Sequence, residues 1–382
     1  MELKASGRTA ELARELCSRP GVKAWVVGGC VRDWLLGRAT KDLDIISEGG
    51  CAALAAYCRR RYAARVENFD SFGTVRCFFP DGSRIDFART RAEVYSAPAA
   101  LPQVKSATLE KDLFRRDFTV NALAARPLEG GGWELLDPFC GVRDIEKGLL
   151  RVLHPASFRD DPTRLYRLCR FAARLGWKAE PRTEALMRRV VRGKLPGLLS
   201  RARLRQELLR ILSEPEPAPA FKLLRRYGLD DFIYPGLRWT GKAEKVQESD
   251  ARLGVLACAL GAEGADFVSS LELERALCAE LKIAAALCLS RRAPAKPLTK
   301  LQNNILTACF PRLPAAALRP CLVDGKMLQH GGLIPGRQFA EIIGAAAKVQ
   351  WKGAFSTSAG ARAWVESKTR FVRAEKRSGR AV

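Results

Sequence analysis

Residues 24–47 read AWVVGGCVRDWLLGRATKDLDIIS, and this segment supplies the first prediction of the fold. The apolar run Ala24–Val27, which is followed by Gly28-Gly29, is typical of a buried strand that ends in a turn. A short amphipathic helix is expected over residues 30–36, and a second strand is expected to begin at Asp42. The segment therefore predicts a strand, a glycine turn, a helix and another strand.

Asp42 and Asp44 lie two positions apart on the second predicted strand, so both carboxylates face the same side. Two like charges this close repel each other, and a cation between them would relieve the repulsion. Carboxylate oxygens favour Mg²⁺ or Mn²⁺. Gly28 and Gly29 let the backbone approach a phosphate, and the helix start behind them favours an anion. The combination predicts a metal-triphosphate site, although a lone Asp-x-Asp pair is usually a solvated strand end and a lone Gly-Gly only a turn.

The composition is that of a globular protein, with 47% hydrophobic and 28% charged residues among 382. The net charge of +24 predicts a polyanionic partner, RNA or DNA before an anionic membrane, although an organism with generally basic proteins would show the same excess. The 12 cysteines form no Cys-x-x-Cys pair, so we expect reduced core residues of a cytoplasmic protein, not disulfides or a zinc site. The chain shows no secretory signal and no apolar run long enough to cross a bilayer. The two histidines, His154 and His330, make a His-rich metallohydrolase a poor match.

A family resemblance emerges from the order of the motifs. The pattern Gly28-Gly29-x-Val31-Arg32-Asp33, followed by Asp42-x-Asp44, resembles the signature of the nucleotidyltransferases that include class II CCA-adding enzymes and bacterial poly(A) polymerases. The resemblance implies that Asp42 and Asp44 are catalytic metal ligands and that the residues of the first pattern bind the nucleotide.

A third carboxylate is expected from the next strands. Residues 74–79 and 84–87 flank a Pro-Asp-Gly turn and are candidates for a hairpin. The family places an acidic residue at Asp86, which would join the metal site, and an arginine at Arg91, which would bind the nucleotide. From the sequence alone, Asp86 could equally be a solvated strand residue.

Residues 112–123, DLFRRDFTVNAL, match the family's Arg-Arg-Asp-Phe-Thr-x-Asn-Ala motif residue for residue. Arg115 and Arg116 could hold triphosphate oxygens in bidentate fashion. Asp117 and Asn121 could bond the ribose hydroxyls. The alternative is an ordinary charged helix start with salt bridges.

Two later motifs carry structural roles by the same resemblance. A strand is predicted over residues 133–136, followed by Asp137, Gly141 and Asp144 in a motif that links the head to the helices after it. A basic helix over residues 200–212 contains Arg203 and Glu207, which are expected to brace the preceding helix.

Residues 159–177, RDDPTRLYRLCRFAARLGW, predict one amphipathic helix with Pro162 in its first turn. Asp161 and Arg164 are spaced i, i+3 and would share a face, and Arg167 follows. The run resembles the family's Glu-Asp-x-x-Arg nucleotide-selecting motif, except that Asp160 replaces the leading Glu. A solvated face with ordinary ion pairs is the alternative.

The implied architecture is of α+β class: an N-terminal nucleotidyltransferase head (mixed sheet with helices), then an all-helical neck, body and tail. The expected boundaries are 1–152 for the head, 153–230 for the neck and 231–382 for the tRNA-binding body and tail. Residues 348–380 interleave cations with Trp351, Phe355, Trp364 and Phe371, a pattern that suits stacking on RNA or, equally, an ordinary helix core.

The implied reaction is attack of an RNA 3′-hydroxyl on the α-phosphate of an NTP, with release of pyrophosphate and two-metal catalysis. We expect a monomer that adds CCA to tRNA from CTP and ATP without a nucleic acid template. Relatives that add only CC, only A or poly(A) share these motifs, and the Ala-, Pro- and Ser-rich segment 92–110, predicted to be a mobile loop, is a candidate for the difference. A non-catalytic RNA-binding protein on this fold would have a degraded carboxylate pair, whereas Asp42 and Asp44 are both present.

Overall fold

The computed structural model describes residue 3 and residues 5–40, 42–69 and 74–378 of the chain. The chain divides into two units, Met1–Leu199 and Ser200–Val382. The first unit combines a mixed sheet with helices, and the described part of the second unit is helical. This arrangement confirms the predicted α+β class. The finer division at residues 152 and 230 stays a proposal.

The first unit alternates helices and strands along the chain. In order they are α1 (Gly7–Cys17), β1 (Ala24–Val27), α2 (Gly29–Leu35), β2 (Asp42–Ser47), α3 (Cys51–Tyr62), β3 (Arg65–Phe69), β4 (Thr74–Phe78), β5 (Arg84–Arg89), β6 (Arg91–Val94), β7 (Gln103–Ser106), α4 (Leu109–Phe114), β8 (Ala124–Pro127), β9 (Trp133–Leu136), α5 (Gly141–Glu146), β10 (Leu149–Leu150), α6 (Ser157–Asp160), α7 (Thr163–Leu175), β11 (Lys178–Ala179) and α8 (Pro181–Arg192).

The main sheet has seven strands in the order β3-β4-β5-β2-β1-β8-β9. Strands β2 and β5 are parallel, and the other neighbours are antiparallel, including the predicted hairpin of β4 and β5. In the parallel pair, Asp44 is the register partner of Asp86, and Asp42 is the partner of Arg84. The sheet therefore brings carboxylates from distant parts of the sequence into adjacent positions.

Burial of apolar residues fixes which way these carboxylates point. All four residues of β1 are buried, and β2 alternates exposed Asp42 and Asp44 with buried Leu43 and Ile45. A slip of one residue would move the carboxylates into the core and the apolar side chains into solvent. The hydrophobic core is thus also what orients the acidic pair.

The segment predicted as a mobile loop, residues 92–110, contains two strands and the start of a helix. Strands β6 and β7 pair antiparallel from Arg91 with Ser106 to Val94 with Gln103, and α4 begins at Leu109. Strand β7 is exposed along its whole length. The prediction of a loop was wrong for these elements, because neither strand shows the apolar alternation from which a strand is predicted.

The helix predicted over residues 159–177 is interrupted at its start. Helix α6 ends at Asp160, Asp161 has extended backbone angles (φ −132°, ψ 92°), and α7 begins at Thr163. Proline disfavours a helical conformation at the residue before it, which explains the break ahead of Pro162. Asp161 therefore lies beside the start of α7 and not on a helical face shared with Arg164.

The second unit contains ten α-helices among its described residues. They are α9 (Arg201–Leu212), α10 (Ala218–Tyr227), α11 (Asp230–Ile233), α12 (Ser249–Ala259), α13 (Gly264–Ser270), α14 (Arg275–Ser290), α15 (Lys300–Cys309), α16 (Gly325–His330), α17 (Arg337–Trp351) and α18 (Ser358–Ser378). None of the helices in the described ranges combines the length and the apolar character that a bilayer crossing requires.

The aromatic residues of the C-terminal segment lie mainly in a core. Trp351 and Phe355 are buried, and Trp364 packs partly buried against the same cluster as Phe355 and Val365. These positions favour the core interpretation for Trp351 and Phe355. The side chain of Phe371 lies outside the described residues.

Candidate active site

Three carboxylates form one group on the face of β2 and β5. Asp44 and Asp86 are direct register partners, and Asp42 lies two residues before Asp44 on the same face. Asp42 and Asp44 are open to solvent, while Asp86 is more enclosed. Protein atoms nevertheless surround the Asp44 carboxyl closely enough that desolvation raises its pKa, with Asp86 adding to the rise and Arg116 opposing it.

Two arginines that the sequence analysis did not select bind this group. Arg76 on β4 donates from Nε and Nη2 to the two oxygens of Asp86, at 2.7 and 2.9 Å. Arg84 lies 3.3 Å from Asp42 and 3.7 Å from Asp86, nitrogen to oxygen. Within the described ranges, no lysine or arginine comes into ion-pair distance of Asp44. Positive charge thus compensates Asp42 and Asp86, and Asp44 keeps its oxygens available.

The donor set fits a hard divalent cation. Three carboxylates supply oxygen ligands only, which suits Mg²⁺ or Mn²⁺ and not a thiophilic metal. Desolvation is the main cause of the raised pKa of Asp44, and the charges of Asp86 and Asp42 add to it. A cation bound to this carboxylate would favour its charged form. Asp42, Asp44 and Asp86 are therefore the residues that would hold the metal.

The glycine turn packs against Arg116. Gly28 has φ +76°, and a Cβ at this position would lie 2.7 Å from Nη1 of Arg116. Gly29 begins α2 with Arg32 beside it. Because Arg116 also interacts electrostatically with Asp44, this guanidinium lies between the glycine turn and the carboxylate group.

Arg115 and Arg116 are held by two acidic residues. Buried Asp112 accepts from Nη2 of Arg115 at 2.9 Å and from Nη2 of Arg116 at 3.1 Å. Glu93 on β6 accepts from Nη1 of Arg115 at 2.8 Å and lies 3.5 Å from Arg91. Desolvation, followed by repulsion from Arg115, lowers the pKa of Arg91. The three arginines therefore form a dense positive cluster whose position is fixed by Asp112 and Glu93.

A hydrogen-bond chain connects the predicted ribose residues with α7 and α2. Arg167 donates to Oδ2 of Asp117 at 2.6 and 2.8 Å, Asn121 donates to Oδ1 of Asp117 at 2.9 Å, and Arg32 donates to Oδ1 of Asn121 at 2.5 Å. Arg32 also donates to Asp33 at 2.8 Å. Burial opposes ionisation of Asp117, but Arg167 and Asn121 outweigh it and lower its pKa to about 2.

The two arginines of this hydrogen-bond chain, Arg32 and Arg167, differ in burial. Arg32 is 3% exposed and directs its donors at Asn121 and Asp33, and its guanidinium packs over the ring of Phe171. The guanidinium of Arg167 also lies over the ring of Phe171, 5.4 Å from its centroid, and is partly exposed. Arg32 thus occupies a position from which it orients neighbouring site residues.

The predicted base-reading pair is adjacent to Arg115. Arg164 is buried and donates to Oγ of Ser157 and to the carbonyl oxygen of Arg115, each at 2.6 Å. Oδ2 of Asp161 lies 4.0 Å from Nε of Arg164, and Oδ1 of Asp161 accepts from the backbone N–H of Thr163 at 3.0 Å. Asp161 therefore contributes one oxygen to the start of α7 and holds the other near Arg164.

Asp137, Gly141 and Asp144 build the support under the Arg115–Asn121 segment. Asp137 accepts from the N–H groups of Gly141 and Val142, at 2.7 and 2.9 Å. A Cβ at Gly141 would lie 2.3 Å from the carbonyl oxygen of Thr119. Asp144 accepts from Oγ1 of Thr119 at 2.7 Å and pairs with Arg151 at 2.9 Å. These contacts favour the structural role that the motif predicts.

Arg203 and Glu207 lie in the second unit on α9. Glu207 is buried and pairs with Arg210 at 2.5 Å, while Ser200 caps the helix by accepting from the backbone N–H of Arg203. The helix matches the predicted range, and the bracing role stays a prediction.

Four participants in the site were missed in the sequence: Arg76, Arg84, Glu93 and Asp112. Two of them had a local signal. Arg84 is two residues from Asp86 on one strand face, and Asp112 stands i, i+3 and i, i+4 from Arg115 and Arg116. Glu93 lies in the segment taken for a loop, and Arg76 reaches Asp86 through strand pairing, which no local spacing reveals.

Two family models match the chain. Residues 24–151 match the model described as Poly A polymerase head domain, and residues 178–240 match the one described as Probable RNA and SrmB- binding site of polymerase A. The first match contains the carboxylate group, the glycine turn and the arginine cluster.

Relatives with curated names agree with these models. An A-adding tRNA nucleotidyltransferase of Geobacter sulfurreducens is 42% identical over 213 residues, which cover 56% of this chain and 24% of that protein. A CC-adding tRNA nucleotidyltransferase of Deinococcus radiodurans is 38% identical over 226 residues, which cover 57% of each chain. The chain spans about a quarter to a half of the length of the first curated relatives it matches.

A solved structure also resembles this chain over most of its length. The complex of a CCA-adding enzyme with CTP has a TM-score of 0.66 and 26% identity, and the match covers 97% of this chain and 99% of the other.

Proposed function

Because the chain belongs to the family of tRNA nucleotidyltransferases and bacterial poly(A) polymerases, we propose that it adds CCA to tRNA 3′ ends from CTP and ATP without a nucleic acid template. The observation that carries this proposal is the pairing of Asp44 with Asp86 in the sheet, next to Asp42 and the Gly28–Arg116 contact. The names of the relatives and the CTP complex of the solved counterpart support the substrates.

Metal binding would fall to Asp42, Asp44 and Asp86. When bound there, Mg²⁺ or Mn²⁺ would activate the 3′-hydroxyl of the RNA and neutralise the charge that develops on the leaving phosphates. The chain's own contribution is to hold three carboxylates in one group and to balance them with Arg76 and Arg84.

The triphosphate would lie between the glycine turn and the arginine cluster. Gly28 and Gly29 leave room for phosphate oxygens close to the backbone, and Arg116 lies directly beside Gly28. Arg115 and Arg91 extend the positive charge, and their acidic anchors keep the guanidinium groups fixed before a nucleotide arrives. Asp117 and Asn121 would take the ribose hydroxyls, with Arg32, Asp33 and Arg167 orienting them.

Asp161 and Arg164 would select the base. Cytosine and adenine each present an amine donor beside a ring-nitrogen acceptor, which match a carboxylate acceptor and a guanidinium donor. Uracil and guanine present a carbonyl oxygen and a ring N–H instead. The carbonyl oxygen would face the carboxylate, which is also an acceptor, and the ring N–H would face the guanidinium, which is also a donor. Leaving such buried groups unpaired is costly, so two side chains can accept C and A and reject U and G. The anchoring of Arg164 by Ser157 and the Arg115 carbonyl supports this role.

Addition of only A or only CC is the principal alternative, because relatives with either name match this chain to a similar extent. Addition of poly(A) is a further member of the same class. A non-catalytic RNA-binding protein is a more distant alternative, and the intact carboxylate group argues against it.

The deciding experiment uses tRNAs that end before CCA, after the first C and after CC, each incubated with one labelled NTP at a time. CCA addition predicts C incorporation on the first two substrates and A incorporation on the third. Incorporation of A alone, of C alone, or of long A tails would identify the other transferases.

Variants connect the activity to the site. Asp42→Ala and Asp44→Ala should each abolish incorporation while tRNA binding in a gel shift stays near the wild-type level, because the metal ligands are lost and the RNA surface is not. Glu129→Ala removes an exposed carboxylate outside the site and serves as the control. Near wild-type turnover of Asp44→Ala at saturating Mg²⁺ would show that the site assignment is wrong.

A further inference from the structure

Three cysteines that are far apart in the sequence meet in the second unit. Cys258 on α12, Cys288 on α14 and Cys309 on α15 have sulfur atoms that all lie within 4.8 Å of one another. Cys288 and Cys309 are buried, and Cys258 is partly exposed. Among the described residues, no other three His, Cys, Asp or Glu side chains bring their ligand atoms this close together, and this group is made only of sulfur.

All three cysteines occupy the last turn of their helices. Helix α12 ends at Ala259, α14 ends at Ser290 and α15 ends at Cys309 itself. The C-terminal end of a helix carries partial negative charge from its unpaired carbonyl groups, so it favours a cation and disfavours an isolated thiolate. Three such ends around one point create a local preference for positive charge at the sulfur atoms.

One positive side chain, that of Lys242, acts on this group of cysteines. Lys242 acts electrostatically on both Cys288 and Cys309 in the direction of thiolate formation.

We propose that Cys258, Cys288 and Cys309 bind a thiophilic metal ion, Zn²⁺, in the helical second unit. Zn²⁺ binds thiolate sulfur at about 2.3 Å, and tetrahedral geometry then separates the sulfurs by about 3.8 Å. This value lies within the 4.8 Å limit that all three sulfur pairs satisfy. Binding releases the thiol protons to solvent, and the three thiolates with one Zn²⁺ leave a net charge of −1 near Lys242.

The fourth ligand is water or another exogenous donor that enters on the side of Cys258, since that cysteine is the partly exposed one. Neither His154 nor His330 belongs to the group. Because α12, α14 and α15 each contribute one ligand, the metal would tie together three helices of the second unit. This site is separate from the carboxylate group and does not depend on the proposed transferase activity.

The first test measures Zn²⁺ binding directly. Full-length reduced protein is stripped of metal and titrated with Zn²⁺ against a chromophoric chelator. We expect one tightly bound Zn²⁺ per chain. Cys258→Ser, Cys288→Ser and Cys309→Ser should each weaken binding by more than the roughly 10- to 100-fold that loss of an outer-shell partner costs.

The control is Cys278→Ser. Cys278 is on the same helix as Cys288, and ten residues of helix separate them by about 15 Å. This variant should bind Zn²⁺ as the wild type does. Equal affinity in all four variants, or no stoichiometric binding by the wild type, would overturn the proposal.

The second test needs no variant and so does not depend on whether a substituted protein folds. Wild-type protein loaded with Co²⁺ should show intense thiolate-to-cobalt charge-transfer absorption together with the visible bands of a tetrahedral ion. Zn²⁺ should also protect three thiols from alkylation, as counted by mass spectrometry. A spectrum without charge transfer, or a disulfide between two of the three cysteines in place of metal binding, would contradict the site.

Discussion

Gly28 packs against the guanidinium of Arg116 and leaves no room for a side chain between them. Gly28→Ala would place a Cβ 2.7 Å from Nη1 of Arg116 at a backbone φ of +76°, so the guanidinium must move away from the glycine turn. Loss of a charged hydrogen bond to the triphosphate costs about 1.5–3 kcal/mol, which corresponds to a fall of about 10- to 100-fold in kcat/KM for the NTP. Steady-state kinetics with CTP and ATP measure this effect.

Gly21→Ala is the matched control for Gly28→Ala. Gly21 has nearly the same positive φ, +74°, and a Cβ there would meet nothing within 4 Å. The control therefore carries backbone strain without displacing a functional side chain, and it should lower Tm without changing kcat/KM. Equal kinetic losses in the two variants would mean that strain, and not the displacement of Arg116, explains the result.

Asp117 contributes to stability through its pairing with Arg167. Its pKa lies at about 2 in the folded chain against an ordinary value of 3.8, so its stabilising effect is fully present above pH 4 and is lost as the pH falls toward 2. The difference corresponds to about 2 kcal/mol. Asp117→Asn should lower the free energy of unfolding by about this amount at pH 7, and the gap to wild type should narrow below pH 4.

Urea denaturation of the wild type and Asp117→Asn from pH 7 to pH 3 provides the measurement. Glu129→Gln, at an exposed carboxylate, controls for the loss of one negative charge. A gap between wild type and Asp117→Asn that stays constant down to pH 3 would exclude the Arg167 pairing as its cause.

Asp161, between α6 and α7, has two roles: it caps the start of α7 and it faces Arg164. Asp161 accepts from the Thr163 N–H with one oxygen and faces Arg164 with the other. Asp161→Asn keeps a carbonyl oxygen for the helix start and replaces the second acceptor by an amide donor. We expect an almost unchanged Tm, reduced use of CTP and ATP, and weaker discrimination against UTP and GTP, by about 1–3 kcal/mol in relative kcat/KM.

Asp161→Ala separates the two tasks of this junction. It should relax selectivity as the Asn variant does and should also destabilise the start of α7 by about 1 kcal/mol, since the capping oxygen is gone. Wild-type selectivity in both variants would show that the base is read elsewhere.

The sequence predicted the helices and strands in which apolar residues recur at a regular spacing. The strands β1, β2 and β9, the hairpin of β4 and β5, and helix α9 appear where the sequence indicates them. The hairpin of β6 and β7 escaped prediction because its residues are too exposed to show a pattern. The family motifs indicated Asp86, yet only the parallel register of β2 and β5 brings it beside Asp44.

Local sequence patterns also fail to predict contacts between residues that are far apart in the chain. Cys258, Cys288 and Cys309 look like isolated core thiols because no short spacing connects them, and they meet only after three helices have packed. The role of Arg76 was not predicted for the same reason, because its partner Asp86 lies on the neighbouring strand. The spacing of apolar residues indicates which face of a helix or strand is buried, but it does not indicate which elements pack against each other.

At the scale of the whole molecule, the net charge of +24 predicts that RNA binding weakens steeply with salt. Truncation before Lys348 would be a poor test of the C-terminal segment, because it removes buried Trp351 and Phe355. Substitution of exposed Lys352, Arg362 and Lys368 by Gln keeps that core. If all three contact phosphates, the slope of log K against log salt should fall by about 2.

Fluorescence anisotropy of labelled tRNA over a series of KCl concentrations gives this slope. Exchanging Lys352 and Lys368 for Arg preserves both charges and should leave the slope unchanged. A wild-type slope in the Gln variant would mean that the RNA contacts lie elsewhere, for example within residues 178–240, which match the RNA-binding family model.

The parallel pairing of β2 with β5 also has a consequence for a chain still being synthesised. At a translation rate of about 5–20 residues per second, a nascent chain would hold Asp42 and Asp44 for several seconds before β5 delivers Asp86, and Arg167 follows still later. The site is thus assembled from segments that leave the ribosome at different times. The proposed nucleotide transfer would therefore have to wait until most of the first unit has been translated, in whatever order the two units then fold.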